Sequence, residues 1–195
     1  MQRTYYVGEG PEAKEVIDAA FAKVQAFRDA GNALSDGMPD GTMILAQNGG
    51  QGTIIGFGIR QQLSPEELAE YGLSPDVNRP DENGEFIPTY KPNSRSNKGK
   101  ELRKRMSAAN KLKTTFSDQV VSALKISRWC VDGRMMCMSS AGCKDGKLFI
   151  SIPGTPDDGQ ANAHGGDKFP VIPSWFRAPQ GDEAMFFLNG KGGTA

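Results

Sequence analysis

Residues 5–32 read YYVGEGPEAKEVIDAAFAKVQAFRDAGN and predict a short strand, a tight turn and a long amphipathic helix. Pro11 suits the first position of a helix, and Glu12 suits the positive end of the helix dipole. The helix carries one apolar stripe at helical spacing, formed by Val16, Ile17, Ala20, Phe21, Val24 and Phe27. We therefore expect a strand at 5–7 and a helix over 11–30.

Two strands and a well-capped short helix are predicted next. Residues 42–46 and 53–59 read as strands joined by a glycine-rich turn. Ser64 is the expected N-cap of the following helix, and Glu67 completes a capping box with it. Gly72 suits the end of this helix, which is therefore only about two turns long.

A basic helix that runs to about Lys111 is predicted, with Asn97 or Ser96 as its N-cap. Its narrow apolar stripe consists of Leu102, Met106, Ala109 and Leu112. Helical geometry turns three basic residues away from that stripe, namely Lys100, Arg103 and Lys104. A second short helix follows, with an N-cap predicted at Ser117 and a hydrophobic staple between Phe116 and Val121.

The C-terminal third is expected to be rich in strands. Asp132-Gly133 is typical of a two-residue hairpin turn, which pairs Val131 with Arg134. That register sets Cys130 and Cys137 diagonally on one face, roughly 7–8 Å apart, which is too far for an easy disulfide. Two further strands are predicted, at 147–152 and at 183–188.

Helices and strands occur in clusters and do not alternate regularly, which favours the α+β class. We expect a single compact domain over residues 1–195, with a mixed or antiparallel sheet and helices on one face. The chain contains 24 glycines and 12 prolines, so much of it should be loop. An exposed loop is predicted over 74–96 because it is polar and proline-rich, and 154–182 is expected to be loop-rich.

The bulk composition indicates a cytoplasmic protein. No apolar run approaches the roughly 18 residues of a membrane span, so no membrane association is expected. The first six residues lack the apolar stretch of a signal peptide. The three cysteines are an odd number, which fits a reducing compartment.

Charge is distributed unevenly along the chain. Residues 91–113 hold nine basic residues and one acidic residue, whereas the rest of the chain has a net charge of −8. Such a block predicts an anion-binding surface, for which the candidate residues are Lys98, Lys100, Arg103, Lys104 and Arg105. The alternatives are an ordinary solvated helix face and a complement to the protein's own acidic face. Few aromatic residues flank the block, which argues against a reader of single strands. The sequence pI of about 6.6 lacks the globally basic footprint of a dedicated duplex-DNA binder.

Trp175 and Arg177 are further ligand-binding candidates. They lie in the segment Pro173-Ser174-Trp175-Phe176-Arg177, between two proline-containing loops. An exposed tryptophan beside an arginine is suited to stacking on a base or anchoring a protein partner. The alternative interpretation is a loop that its aromatic residues pin to the core.

An enzymatic alternative depends on the single histidine, His164. Three aspartates lie near it in a glycine-rich segment, and together the four residues suggest a divalent-metal site or a general base: Asp157, Asp158, His164 and Asp167. Their spacing matches no catalytic motif, and a flexible loop explains the composition equally well. No phosphate-binding loop with a lysine and no serine-nucleophile motif is present, so no cofactor is predicted.

Several short segments resemble small accessory proteins encoded by tailed phages of enteric bacteria. They are Tyr5-Tyr6-Val7-Gly8-Glu9-Gly10, Thr53-Ile54-Ile55-Gly56, Lys98-Gly99-Lys100-Glu101-Leu102 and Ile172-Pro173-Ser174-Trp175. The resemblance implies a protein that acts in the host cytoplasm, in counter-defence or host takeover. It implies no role for any particular residue.

These observations lead to three hypotheses. The first is a non-enzymatic protein that binds an anionic host target, which would be a signalling nucleotide, a nucleic acid or an acidic protein surface. The second is an enzyme that acts on a nucleotide or nucleic acid through His164. The third is a protein-only inhibitor that docks on a host enzyme through the 126–139 hairpin and the Trp175 loop. A homo-oligomer is compatible with each hypothesis.

Overall fold

The computed structural model describes residues 3–47, 52–80, 83–126, 128–131, 135–156 and 169–188. Its helices are α1 (Pro11–Asn32), α2 (Pro65–Tyr71), α3 (Asn97–Lys111), α4 (Phe116–Ala123) and α5 (Glu183–Leu188), with a 3-10 turn at Ala33–Ser35. Its strands are β1 (Arg3–Gly8), β2 (Met43–Gln47), β3 (Thr53–Gly58), β4 (Leu73–Pro75), β5 (Arg79–Pro80), β6 (Phe86–Ile87), β7 (Thr89–Pro92), β8 (Arg128–Val131), β9 (Met135–Met138), β10 (Ser140–Lys144), β11 (Lys147–Pro153) and β12 (Phe176–Arg177). The strand pairings among these residues are antiparallel, which confirms the α+β class.

The chain forms two compact units, one of residues 1–23 with 115–195 and the other of residues 24–114. The single domain expected over residues 1–195 stays a prediction.

The first unit is built on a four-stranded sheet in the order β10-β11-β1-β12. Side chains alternate between the two faces of a strand, so β11 buries residues on both sides. One face packs against α1 and α4 through Leu148, Ile150 and Ile152. On the other face, Phe149 stacks on Phe186 of α5 with ring centroids 4.1 Å apart. The sheet is therefore covered by helices on both faces, whereas the sequence analysis expected helices on one face only.

The second unit is built on a four-stranded sheet in the order β2-β3-β7-β4. Its core contains Phe57 of β3, Tyr90 of β7, and Leu102 and Ala109 of α3. The hydroxyl of Tyr90 accepts a hydrogen bond from the backbone nitrogen of Leu63 at 2.9 Å, which satisfies the polar end of a buried ring. This packing holds α3 against the sheet.

Most of the local predictions are confirmed. The strand at 5–7 and the long helix after it are β1 and α1, and the two strands at 42–46 and 53–59 are β2 and β3. Ser64 and Glu67 form the expected capping box at the start of α2, and Gly72 ends it in the left-handed conformation at φ +68°. The side chain of Ser96 caps α3. The two helix caps join residues that are only three positions apart, so they could be predicted from the local sequence.

The strand predicted at 183–188 is wrong, because these residues form helix α5. A strand would place Phe186 and Phe187 on opposite faces. In the helix both rings reach one face of the first sheet, where Phe187 lies 4.4 Å from the ring of Tyr5. The side chain of Glu183 also accepts a hydrogen bond from the backbone nitrogen of Gln180, which supports the helix start.

The exposed loop predicted over 74–96 is wrong for its second half. Residues 89–92 form β7, and Thr89 and Tyr90 are only 2% and 3% exposed. Pro75 and Pro92 end strands β4 and β7, where a missing backbone donor is tolerated. The proline content of a segment does not distinguish prolines that end strands from prolines that lie in loops, which is why the whole segment was predicted to be a loop. The described residues of 154–182 contain one two-residue strand, β12.

Three smaller predictions are also corrected. The hairpin pairs Val131 with Met135, so its register differs by one residue from the predicted pairing of Val131 with Arg134. Cys137 therefore lies opposite Trp129. The turn itself lies outside the described residues. Thr115 caps α4, whereas Ser117 accepts a hydrogen bond from the backbone nitrogen of Ala141. Leu112 ends the predicted apolar stripe of α3 but is 47% exposed.

Candidate functional site

The candidate site is the basic helix α3, whose orientation is set by its contacts with the rest of the second unit. Leu102 and Ala109 are buried on its inner face. Near its C-terminal end, the side-chain amide of Asn110 pairs with both backbone groups of Ile54, accepting from the nitrogen at 2.8 Å and donating to the oxygen at 3.0 Å. At its start, a Cβ atom on Gly99 would lie 2.1 Å from the carbonyl oxygen of Asn93. The opposite face must therefore point to solvent.

The outward face of α3 carries four cations, which we call the cationic stripe: Lys100, Arg103, Lys104 and Lys111. At 100° per residue, they fall within an arc of about 100° that lies away from Leu102 and Ala109. All four side chains are exposed. Among the residues that the structure describes, none of the four forms an ion pair with a carboxylate or a side-chain hydrogen bond. Within the described part of the chain, the stripe is therefore a set of charges that no carboxylate compensates by an ion pair.

Lys98 and Arg105, also predicted to bind an anion, have a different environment. The Lys98 ammonium group donates to the backbone oxygen of Glu70 at 2.9 Å, at the end of α2. The Arg105 guanidinium donates to the backbone oxygen of Ala33 in the 3-10 turn. Carbonyl groups at a helix end carry partial negative charge, so these two cations tie α3 to its neighbours.

Lys98 and Arg105 also border a groove of about 220 Å³. Its remaining lining includes three carboxylates and an apolar floor: Asp36, Glu70, Glu101, Met38, Tyr71 and Leu102. The carboxylates outnumber the cations, and both cations already donate to carbonyl oxygens. The groove is therefore a poor receptor for an anion, and the predicted basic block divides into an outward stripe and a structural pair.

Two other basic residues of the 91–113 block have partners within the second unit. Lys91 forms an ion pair with Asp76 at 3.3 Å. The ammonium group of Lys113 lies 3.4 Å from the hydroxyl of Thr53, within hydrogen-bond distance. Compensation of Lys91 by a carboxylate makes it a suitable control for the cations of the stripe.

Arg177 is neutralised by a cluster of charges in the first unit. Its guanidinium contacts Glu183 at 2.6 and 2.8 Å and Glu9 at 3.2 Å, and Lys147 contacts the same two carboxylates at 2.7 and 3.5 Å. Hydrogen bonds from Arg177 and then from Lys147 hold the pKa of Glu183 far below its ordinary value. Two cations and two carboxylates balance, so Arg177 offers no spare charge to a ligand.

Trp175 is packed against its own unit. Its ring stacks on Phe176 with centroids 4.0 Å apart, and it lies so close to the backbone of Gly8 that a Cβ atom there would be 2.3 Å from the ring. The half-buried indole also joins the hydrophobic cluster that contains Ile150. This arrangement agrees with the interpretation of a loop pinned to the core by its aromatic residues.

The enzymatic candidates His164, Asp157, Asp158 and Asp167 lie outside the described residues. Within the part of the chain that is described, no group of three or more histidine, cysteine or acidic side chains is placed to hold a metal ion. Burial raises the pKa of the Cys143 thiol, which disfavours the reactive thiolate. In the same residues, no helix has both the length and the apolar composition needed to cross a bilayer.

The sequence pattern indicated three cations of the stripe, Lys100, Arg103 and Lys104, but not Lys111 or the partners that neutralise Arg177. The 3.6-residue period of a helix separates Lys100, Arg103 and Lys104 from the buried face without knowledge of the fold. No local signal could indicate the contact between Arg177 and Glu9, because 168 residues separate them.

A family profile described as "Family of unknown function (DUF5420)" matches residues 8–183. These residues include the cationic stripe and the charged cluster around Arg177. Neither the curated proteins nor the solved structures contain a match to the chain.

Proposed function

The chain belongs to this family of unknown function, and we propose that it is a non-enzymatic binding protein whose cationic stripe engages an anionic partner. The observation that carries the proposal is the exposure of Lys100, Arg103, Lys104 and Lys111 without a carboxylate partner among the described residues. Such charges attract a polyanion, and when they neutralise its charges, the cations condensed on the polyanion are released, which favours association.

The charge distribution outside the basic block supports this mode of binding. The chain has no net charge, although residues 91–113 are strongly basic, so the remaining surface is acidic. A polyanion is repelled by that surface and attracted to α3, which orients the protein during the encounter. Since the stripe is solvent-exposed, its attraction should weaken as salt is added.

The proposed setting is a host cytoplasm in which a phage-encoded protein acts in counter-defence. This part of the proposal is supported only by the resemblance of the short segments such as Tyr5–Gly10 and Lys98–Leu102 to phage accessory proteins. The partner would then be a nucleic acid, a signalling nucleotide or an acidic surface of a host defence protein.

The proposal is tested with a triple variant, Lys100→Gln, Arg103→Gln and Lys104→Gln, which removes charge but keeps side chains that favour helices. Binding of the wild-type chain to duplex DNA, single-stranded RNA, polyglutamate and cyclic dinucleotides is measured at about 50 and 200 mM salt. We expect binding to at least one of these anions, weaker at the higher salt and at least tenfold weaker in the triple variant.

Lys91→Gln is the matched control, because it removes one exposed charge that Asp76 already compensates. It should bind like the wild type. Failure of the wild-type chain to bind any of the anions, or equal binding by the triple variant, would refute the proposal.

The enzymatic and protein-inhibitor hypotheses stay predictions. The former depends on His164 and its neighbouring aspartates, and is rejected if His164→Ala leaves biological activity intact. The latter depends in part on Trp175, whose half-buried ring already contacts Phe176 and the backbone at Gly8.

A further inference from the structure

We infer that the partner of the cationic stripe is the phosphate backbone of a nucleic-acid duplex, contacted without reading of the base sequence. The inference rests on the proposed function and narrows its partner class. It follows from the length of the stripe, its convex shape and the types of side chain that it carries.

The stripe is too long and too open for a small anion. Lys100 and Lys111 are eleven residues apart, which corresponds to about 16 Å along the helix axis. All four cations lie on the outer side of a helix whose inner side is buried, so they form a row on a convex surface. A nucleotide site is instead concave and encloses its ligand. The neighbouring groove does not supply such a site, because carboxylates outnumber cations in its lining.

Three of the four cations of the stripe are lysines, which suit phosphate contacts because they act as point charges. The helix contains no aromatic residue on which an unpaired base could stack. The amide of Asn110 is already paired with the backbone of Ile54 and cannot read a base edge. Ser107 is exposed at the centre of the stripe, where its hydroxyl can donate to a phosphate oxygen alongside the lysines.

A duplex also matches the stripe in charge density. It carries about one negative charge per 1.7 Å of axis, so a segment of about 16 Å presents more than enough phosphates for four cations. An acidic protein surface matches the row only if its carboxylates happen to be spaced along the same line. The regular spacing of phosphates removes that requirement.

The test measures fluorescence anisotropy of a labelled duplex of about two helical turns over 50–200 mM salt. Four phosphate contacts predict a slope of log K against log salt of about −3.6, which is roughly a 150-fold loss of affinity over this range. Lys104→Gln should reduce the magnitude of the slope by about 0.9, and Lys91→Gln should leave it unchanged. Ser107→Glu should weaken binding by placing a negative charge within the stripe.

Two duplexes of unrelated sequence should bind equally well. The inference is overturned if affinity depends strongly on sequence, if single-stranded RNA binds tenfold more tightly than the duplex, or if Lys104→Gln leaves the slope unchanged. Stripe-dependent binding to polyglutamate or to a cyclic dinucleotide without binding to the duplex would also overturn it, but the proposed function would stand. Absence of binding to every anion would refute both. Circular dichroism confirms that each variant is folded.

Discussion

Asn110→Ala should destabilise the second unit through the loss of one side-chain amide. Asn110 lies near the C-terminal end of α3, and its amide accepts from the backbone nitrogen of Ile54 and donates to the oxygen of the same residue. It therefore pairs with β3 as another strand would. Ile54 is only 4% exposed, so water cannot easily replace the lost partner.

The expected cost follows from the two backbone groups left unpaired. Each unsatisfied buried group costs about 1–3 kcal/mol, and partial hydration of the new space recovers some of that energy. We expect the free energy of unfolding to fall by about 2–4 kcal/mol. With a denaturant slope near 2 kcal/mol/M, the midpoint in urea should move down by about 1–2 M.

Urea unfolding followed by far-ultraviolet circular dichroism measures this change, and amide hydrogen exchange tests its location. Protection of the Ile54 amide should fall by about tenfold or more in the variant. Asn97→Ala is the matched control, because Asn97 is exposed on the same helix. A loss below about 0.5 kcal/mol with unchanged Ile54 protection would show that the paired amide contributes little.

Two further predictions concern other close contacts. Gly99→Ala should destabilise the chain, because the new Cβ atom would lie 2.1 Å from the backbone oxygen of Asn93. Gly31→Ala in α1 should be neutral or slightly stabilising, because its Cβ atom would lie at an ordinary contact distance of 3.6 Å from the side chain of Ile54. The melting temperature should fall in Gly99→Ala and should stay unchanged or rise slightly in Gly31→Ala, and equal shifts would contradict the steric argument. Glu183→Gln should make α5 more sensitive to protease, since the carboxylate is held by Arg177 and Lys147. Because its pKa is lowered in the folded protein, this carboxylate stabilises above its ordinary pKa and loses its effect as acid protonates it. The wild-type chain should thus lose more stability on acidification than the variant does, and identical acid profiles would contradict this role.

The local elements were readable because their signals involve neighbouring residues. The capping box of Ser64 and Glu67 spans three residues, and the outward direction of Lys100, Arg103 and Lys104 follows from helical periodicity alone. The core of the first unit was less readable, because β11 lies between β10, its neighbour in sequence, and β1, which comes from the other end of the chain.

The amino-acid sequence was sufficient to establish the α+β class, the long first helix and an exposed row of cations on a basic helix. Tertiary contacts favoured a helix over the predicted strand at residues 183–188, since six residues rich in apolar side chains fit either conformation until Phe186 and Phe187 meet the sheet. The same kind of contact separated the cations by role: Arg177 meets Glu9 from the far end of the chain, and Lys98 and Arg105 meet carbonyl groups of other elements. Charge is a property of a residue, but its compensation depends on which distant groups folding brings within a few ångströms.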